Sequence, residues 1–299
     1  MTTDGNIYDL GYRGYDGPRS GRTAVTFGLL RATLSAAYGI GRGGKAKIAP
    51  FVLLALESLP AVLAVGITAI ASQAGAGGAL EEASPIQHAT YQGLTGTILA
   101  LFLAAQAPEL FGRDQRYGVL PLFFSRLLTR TDYAFARVGG LVVAVSLLSI
   151  LPHLILTIGA ILSASDPLTG LGEEAPDIPR YLAVTLQSSL LLSAVAAAVA
   201  CWTPRRAYAT AGIIAAFLIP SVITILIVEL AVTDVARLVV LFSPADLVDG
   251  FNAAVFGTIP DGPAVSTADL PGWTYVVASL VWIAVLLGAI LRRYQRLTA

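Results

Sequence analysis

Two ionisable side chains lie where lipid would make them costly. Glu57 sits in the run APFVLLALESLPAVLAVGITAIA and His153 in VGGLVVAVSLLSILPHLILTIGAIL. A carboxylate or imidazole there must face protein, be neutral, or hydrogen-bond to a neighbouring helix. Glu57 is expected to point into a helix bundle, whether its role is functional or structural. His153 reads as a structural hydrogen-bonding residue, because the only other histidine, His88, falls in a loop and leaves no bis-histidine pattern for haem. A third stretch, PELFGRDQRYGVLPLFFSRLLTRTDYAFAR, mixes Arg113, Arg116, Arg126 and Arg130 with an apolar VLPLFF block too short to span a membrane. Folded against the membrane surface, with its apolar side on the protein and its arginines outward, it can dock a soluble subunit. Pro121 disfavours continuous helix across the block, and Thr131 or Asp132 is suited to start the next one.

Other catalytic patterns are missing. The chain has no HExxH, CxxC or GxSxG, which leaves metalloenzyme and serine-hydrolase chemistry without a motif. GRGGKAK lacks the spacing of the phosphate-cradling GxxxxGK[ST], so any ATP must be bound by another chain. Cys201 is the single cysteine, which precludes an intramolecular disulfide and reads as a small hydrophobe. With Met1 the single methionine, a copper path has no soft-ligand cluster. Nineteen basic residues balance 19 acidic ones, which argues against nucleic-acid binding.

The elements that must position these residues are membrane spans. Only 13% of the residues are charged, where a soluble domain carries about 25%, and the mean hydropathy is +0.74. A helix crossing the hydrocarbon needs about 20 mostly apolar residues. Six runs qualify, at 49–71, 91–107, 138–162, 182–202, 208–229 and 272–291, the second being the least apolar. Their continuity fits helices rather than the alternating strands of a barrel. No cleavable signal is read, so the first run is expected to act as an uncleaved insertion signal.

Charge then sorts the connections. Arg13, Arg19, Arg22, Arg31, Arg42, Lys45 and Lys47 precede the first run, and Arg113, Arg116, Arg126, Arg130 and Arg137 follow the second. Arg205 and Arg206 follow the fourth run, and Arg292, Arg293 and Arg296 the sixth. With six spans these lie on one side, which the positive-inside rule names the cytoplasm, together with both termini. The opposite loops are acidic, carrying Glu173, Glu174, Asp246, Asp249 and Asp261 among others. The expected division is a cytoplasmic segment 1–48, a membrane domain 49–291 and a tail 292–299. Residues 24–38 suit a helix at the membrane surface, with Leu29, Leu30, Leu34, Ala37 and Tyr38 on one broad side, and GIGRGGKAK ends it. Between the fifth and sixth runs, VARLVVLFSPADLVDGFNAAVFG suits two short helices dipping into the bundle, provided protein satisfies the broken backbone. Asp261, Gly262 and Pro263 mark a turn after them. Pro60, Pro152 and Pro220 should bend three spans or free backbone carbonyls. Gly93 and Gly96 are three apart, not four as GxxxG requires.

IYDLGYRGYDGPRSGR, GIGRGGKAKIAPFVLL and GRDQRYGVLPLFFSRLLTRTDYAFAR together resemble the membrane subunit of ABC-2 type ABC transporters, over essentially the whole chain. The resemblance implies an all-α polytopic fold of exporter type. It implies a second permease chain, a homodimer, and separate ABC ATPase subunits that carry ATP and Mg²⁺. It places the interfacial helix near 22–38, the coupling segment near 110–130 and an outer gate near 232–256. On that basis Arg113, Asp114, Arg116, Leu120 and Pro121 form the coupling surface, with Arg126 and Arg130 positioning it. Two alternatives differ in kind. A non-transporting scaffold needs no polar route across the membrane, and an intramembrane enzyme needs polar groups to converge on Glu57 or His153.

Overall fold

The computed structural model describes Gly17 and residues 20–73, 86–125, 128–230 and 234–296. Among these the chain is helical, without strands. In order the helices are α1 (Arg22–Ala37), α2 (Lys45–Gln73), α3 (His88–Ala107), α4 (Arg113–Arg116), α5 (Leu120–Phe124), α6 (Arg130–Ser163) and α7 (Pro167–Glu174). They continue with α8 (Asp177–Trp202), α9 (Arg206–Leu230), α10 (Asp234–Arg237), α11 (Pro244–Phe256), α12 (Pro263–Ala268) and α13 (Gly272–Arg296). Among the described residues six helices are long and apolar enough to cross a membrane: α2, α3 extended through α4, α6, α8, α9 and α13. All six expected spans are therefore helical, including the second, which runs from His88 to Arg116.

The helices outrun the apolar stretches where protein contacts replace lipid. The third span was expected to begin at 138, yet α6 begins at Arg130, eight residues earlier. Its start is set by Thr129, whose hydroxyl accepts from the Asp132 amide while the Asp132 carboxylate accepts from the Thr129 amide. The cap is thus Thr129, and Asp132 is its reciprocal partner two residues inside the helix rather than the first residue. Pro60, Pro152 and Pro220 all lie within continuous helices, as does Pro50.

At the centre stands α8, with 67% of its apolar window buried against 17% for α13. Small residues explain the close approach of its neighbours: Ser188, Ser189, Ser193, Ala194, Ala196, Ala197 and Ala200 are buried. Helices α3, α6 and α13 pack on it, while α2 and α1 pack on α6. The surface helix expected near 22–38 forms as α1, and Leu29, Ala37 and Tyr38 are buried with Leu30 and Leu34 half-buried. Its apolar side is covered by α6 of the same chain. The Tyr38 hydroxyl donates to the Ala144 carbonyl at 2.8 Å. The chain then turns through Gly39 at φ +68°, where a Cβ would meet the Ala46 carbonyl.

Two connections at the acidic end are more ordered than their composition suggested. The segment after α6 forms α7, capped by Asp166 at the Thr169 amide. Before the last span, residues 235–242 and α11 meet at 101°. This is the broken element expected from the sequence, and protein satisfies its backbone: the Trp282 indole of α13 donates to the Leu241 carbonyl at 2.9 Å.

The α1–α6 contact depends on Gly140, where an added Cβ would run into the Thr33 side chain and the Leu30 carbonyl. Gly140→Leu is expected to cost about 1–3 kcal/mol and to release α1. Thermal unfolding in nanodiscs, together with tryptic cleavage at exposed Arg31, measures both. Unchanged protection of α1 would contradict this account of the contact.

Candidate functional site

The stretch flagged for docking forms an elbow at the basic end of the bundle. Helix α3 continues through a π-helical turn, Pro108–Gly112, whose Leu110 and Phe111 are buried. It passes into α4, then reverses at Gly118 (φ +64°). Pro121 lies in the first turn of α5, where its missing amide costs no helical hydrogen bond. The break therefore falls before the proline, at 117–119.

The elbow presents one face outward and uses the other as an anchor. Arg113, Arg116 and Pro121 are exposed, and beside them Tyr117 and Leu122 are each 68% exposed. Asp114 and Leu120 turn inward and hold the elbow rather than form its surface. The Asp114 carboxylate pairs with Arg137 of α6 and accepts from the Tyr133 hydroxyl at 2.6 Å. Arg137 is only 8% exposed, lies over the Tyr133 ring at 5.3 Å and also donates to the Thr33 hydroxyl of α1 at 3.4 Å. Gln115 donates to the Cys201 carbonyl at 3.0 Å, which fixes α4 to the end of α8. Glu109 pairs with Arg206 at 3.2 Å, which adds the start of α9.

Arg130 is half-buried and donates to the Gln295 carbonyl at 2.9 Å, a cation on the last turn of α13. Its guanidinium also stands over the Phe124 ring at 5.6 Å. Arg126 lies outside the described residues. Arg22 forms a two-pronged pair with Asp132 at 2.7 and 2.9 Å, and the hydrogen bond to that carboxylate raises the guanidinium pKa above its ordinary value. Burial, then the charge of nearby Arg113, pushes the Arg42 guanidinium below its ordinary value, with Glu109 opposing. Sequence reasoning counted Arg137 as one more loop cation and passed over Gln115 and Tyr133. The available signal was spacing: Tyr133 and Arg137 are four apart and share a helix face.

The intramembrane residues meet elsewhere. Glu57 is 1% exposed, as expected of a carboxylate in an apolar run, and the Tyr91 hydroxyl donates to its backbone carbonyl at 2.5 Å. The Tyr91 ring lies 5.4 Å from His153. His88, expected in a loop, instead begins α3 and is buried. Its Nδ1 lies 2.8 Å from His153 Nδ1 and its Nε2 lies 3.1 Å from the Glu174 carboxylate. Tyr181 stacks on His153 at 4.9 Å. The structure places His153 in a hydrogen-bonded, stacked cluster, and both imidazoles are engaged with each other and with neighbours. Glu57 and His153 approach the same tyrosine but, among the described residues, make no hydrogen bond or ion pair to one another.

Neither a family model nor a curated protein matches this chain.

The buried Asp114–Arg137 pair makes a measurable claim. Arg137→Met or Asp114→Asn alone should destabilise by about 3–5 kcal/mol, because each leaves a buried polar or charged partner uncompensated. The double variant should cost clearly less than the sum. Arg22→Ala, which removes an exposed, solvent-screened pair, should cost far less than either. A double-mutant cycle on unfolding in detergent or nanodiscs tests this, and additive costs at 114 and 137 would show that the pair is not coupled.

Proposed function

We propose that this chain is the membrane-spanning permease subunit of an ATP-driven transporter of ABC-2 type, acting as an exporter in the cell membrane. The observation that carries the reading is the elbow of α4 and α5. Its outward face offers two arginines, a tyrosine, a proline and a leucine, and its inward face is bolted to α6, α8 and α9. A soluble subunit that pushes on such an elbow moves spans rather than a loop. That is what coupling without a nucleotide site of its own requires.

The remaining features support the same reading. The basic residues gather at the end that bears the elbow, which the positive-inside rule names cytoplasmic, with both termini there. ATP and Mg²⁺ then belong to separate ABC ATPase subunits, which would meet Arg113, Arg116 and Tyr117. A second copy of the chain completes the translocation unit, and the little-buried helices α2, α9 and α13 supply surface for that copy and for lipid. The bent element formed by residues 235–242 and α11 occupies the opposite end, where an outer gate is needed. A two-state exchange between the ends then carries the solute across.

Affinity purification of the chain from its native membrane, followed by mass spectrometry and ATPase assay, tests the class. A stoichiometric P-loop ATPase whose hydrolysis depends on this chain is the expected result. Arg113→Ala with Arg116→Ala should lower that dependence at least roughly fivefold while membrane insertion stays unchanged. Repeated recovery without an ATPase, or hydrolysis indifferent to both arginines, would refute the assignment.

A further inference from the structure

A groove of about 530 Å³ runs along the basic end of α13, where that helix packs against the end of α8. Its apolar part is made of Val285, Gly288 and Ala289, and a Cβ added at Gly288 would meet no atom within 4 Å. Its rim is cationic. Arg292, Arg293 and Arg296 line it, and none of the described lining residues is acidic. No described residue forms an ion pair with any of these three, whereas Arg22, Arg137, Arg180 and Arg206 each have one.

The groove is graded along the helix. Trp202, at the end of α8, lines it and is 58% exposed. The Arg293 guanidinium stands 5.3 Å from the centre of the indole, and its Nε donates to the Cys201 carbonyl at 3.4 Å, so this charge is fixed at the level of the ring. Arg292 and Arg296 are exposed beside it. An exposed indole among arginines suits the headgroup level of a bilayer, where one part of the ring is wet and the other apolar. Away from the arginines the same side of α13 continues through Val285, Val281 and Val277, four residues apart and all exposed. Val281 lies 11 residues before Arg292, about 16 Å at the α-helical rise, which is close to one leaflet's share of a hydrocarbon core of about 30 Å.

This face therefore joins an uncompensated positive rim to an apolar strip one leaflet long. A soluble anion would use only the rim. A parallel second copy centred on this face would bring the same three arginines toward their own counterparts, a costly juxtaposition of like charges. A molecule with an anionic head and an acyl tail uses both parts.

We propose that this groove binds one anionic glycerophospholipid, its phosphate among Arg292, Arg293 and Arg296 and an acyl chain along Gly288, Val285 and Val281. Because Trp202 belongs to α8 and the arginines to α13, the bound headgroup ties the ends of the two helices together. Binding does not depend on the permease reading.

The test is native mass spectrometry of the full-length chain released from detergent micelles that contain equal amounts of dioleoyl phosphatidylglycerol and dioleoyl phosphatidylcholine. The first lipid retained should be the phosphatidylglycerol at least about fivefold more often. Arg292→Gln with Arg296→Gln should bring the two lipids close to parity. Gly288→Leu should do the same while keeping every charge, because its side chain starts in open space and fills the groove. Arg31→Gln with Lys47→Gln removes two exposed charges elsewhere on the basic end and should leave the preference unchanged. Parity in the unaltered chain would overturn the proposal, and so would a preference that the Arg31 and Lys47 changes lower as much as the groove changes do. A preference that survives Gly288→Leu and is competed away by inorganic phosphate would make the rim an anion site without a lipid groove, which also overturns it. A dimer that Gly288→Leu splits, with no lipid selected, would give the face to a second copy and overturn it as well. Absence of an ATPase leaves this site standing, and parity of the two lipids leaves the elbow standing.

Discussion

Arg137 carries a permanent charge into the body of the bundle, and a guanidinium there cannot escape by losing its proton. It needs a fixed counter-charge close by. Asp114 supplies it from the far end of another span, so neutralising one side chain joins α4 to α6. Tyr133 donates to the same carboxylate, and Arg137 donates to Thr33, which brings in α1. The surrounding contacts at the basic end, Gln115 to Cys201, Glu109 to Arg206 and Arg130 to Gln295, extend this node to α8, α9 and α13. The elbow owes its fixed position to this arrangement rather than to its own short helices, which are too brief to be stable alone.

The opposite end answers a related demand with different groups. A helix that breaks inside an apolar environment leaves amides and carbonyls that lipid cannot satisfy. At the 101° bend before α11, Ser243 caps the new helix at the Asp246 amide, and Ser221 of α9 lies 3.1 Å from the Ser243 hydroxyl. Trp282 of α13 takes the Leu241 carbonyl from the other side. The bend is therefore held by its neighbours. Of the residues at this bend, Ser221 and Asp246 also line a cavity among α3, α8, α9, α11 and α12.

Helix α6 links the two ends. Its first turns hold Arg22 through Asp132 and Asp114 through Arg137, its middle carries His153 against His88, and its length packs on α1, α2 and α8. A displacement of the elbow reaches α6 directly through the Asp114 pair, without a flexible connection between them. The small buried residues of α8 let α6 approach closely, and close-packed interfaces shift between discrete arrangements more readily than they deform.

Much of this was legible in the residues taken in order. Six apolar runs, the surface helix near 22–38, the broken element before the last span and the burial of Glu57 all follow from local composition, because lipid imposes length and apolarity on each helix separately. Charge sorting along the chain likewise needs no knowledge of packing. A helix start was legible at Thr131 or Asp132, one or two residues from the observed Arg130, but the apolar run was placed only from 138 because an apolar window cannot see a charge compensated by protein. The inward turn of Asp114 and Leu120, the pairing of His88 with His153 and the meeting of Cys201 and Trp202 with Arg293 could not be read from sequence. These groups lie up to 92 residues apart in the chain and meet only after the helices choose their neighbours. Each helix was determined by its own hydrophobicity, whereas its partners were decided by where small residues allow close approach and where buried charges and broken backbone must be satisfied.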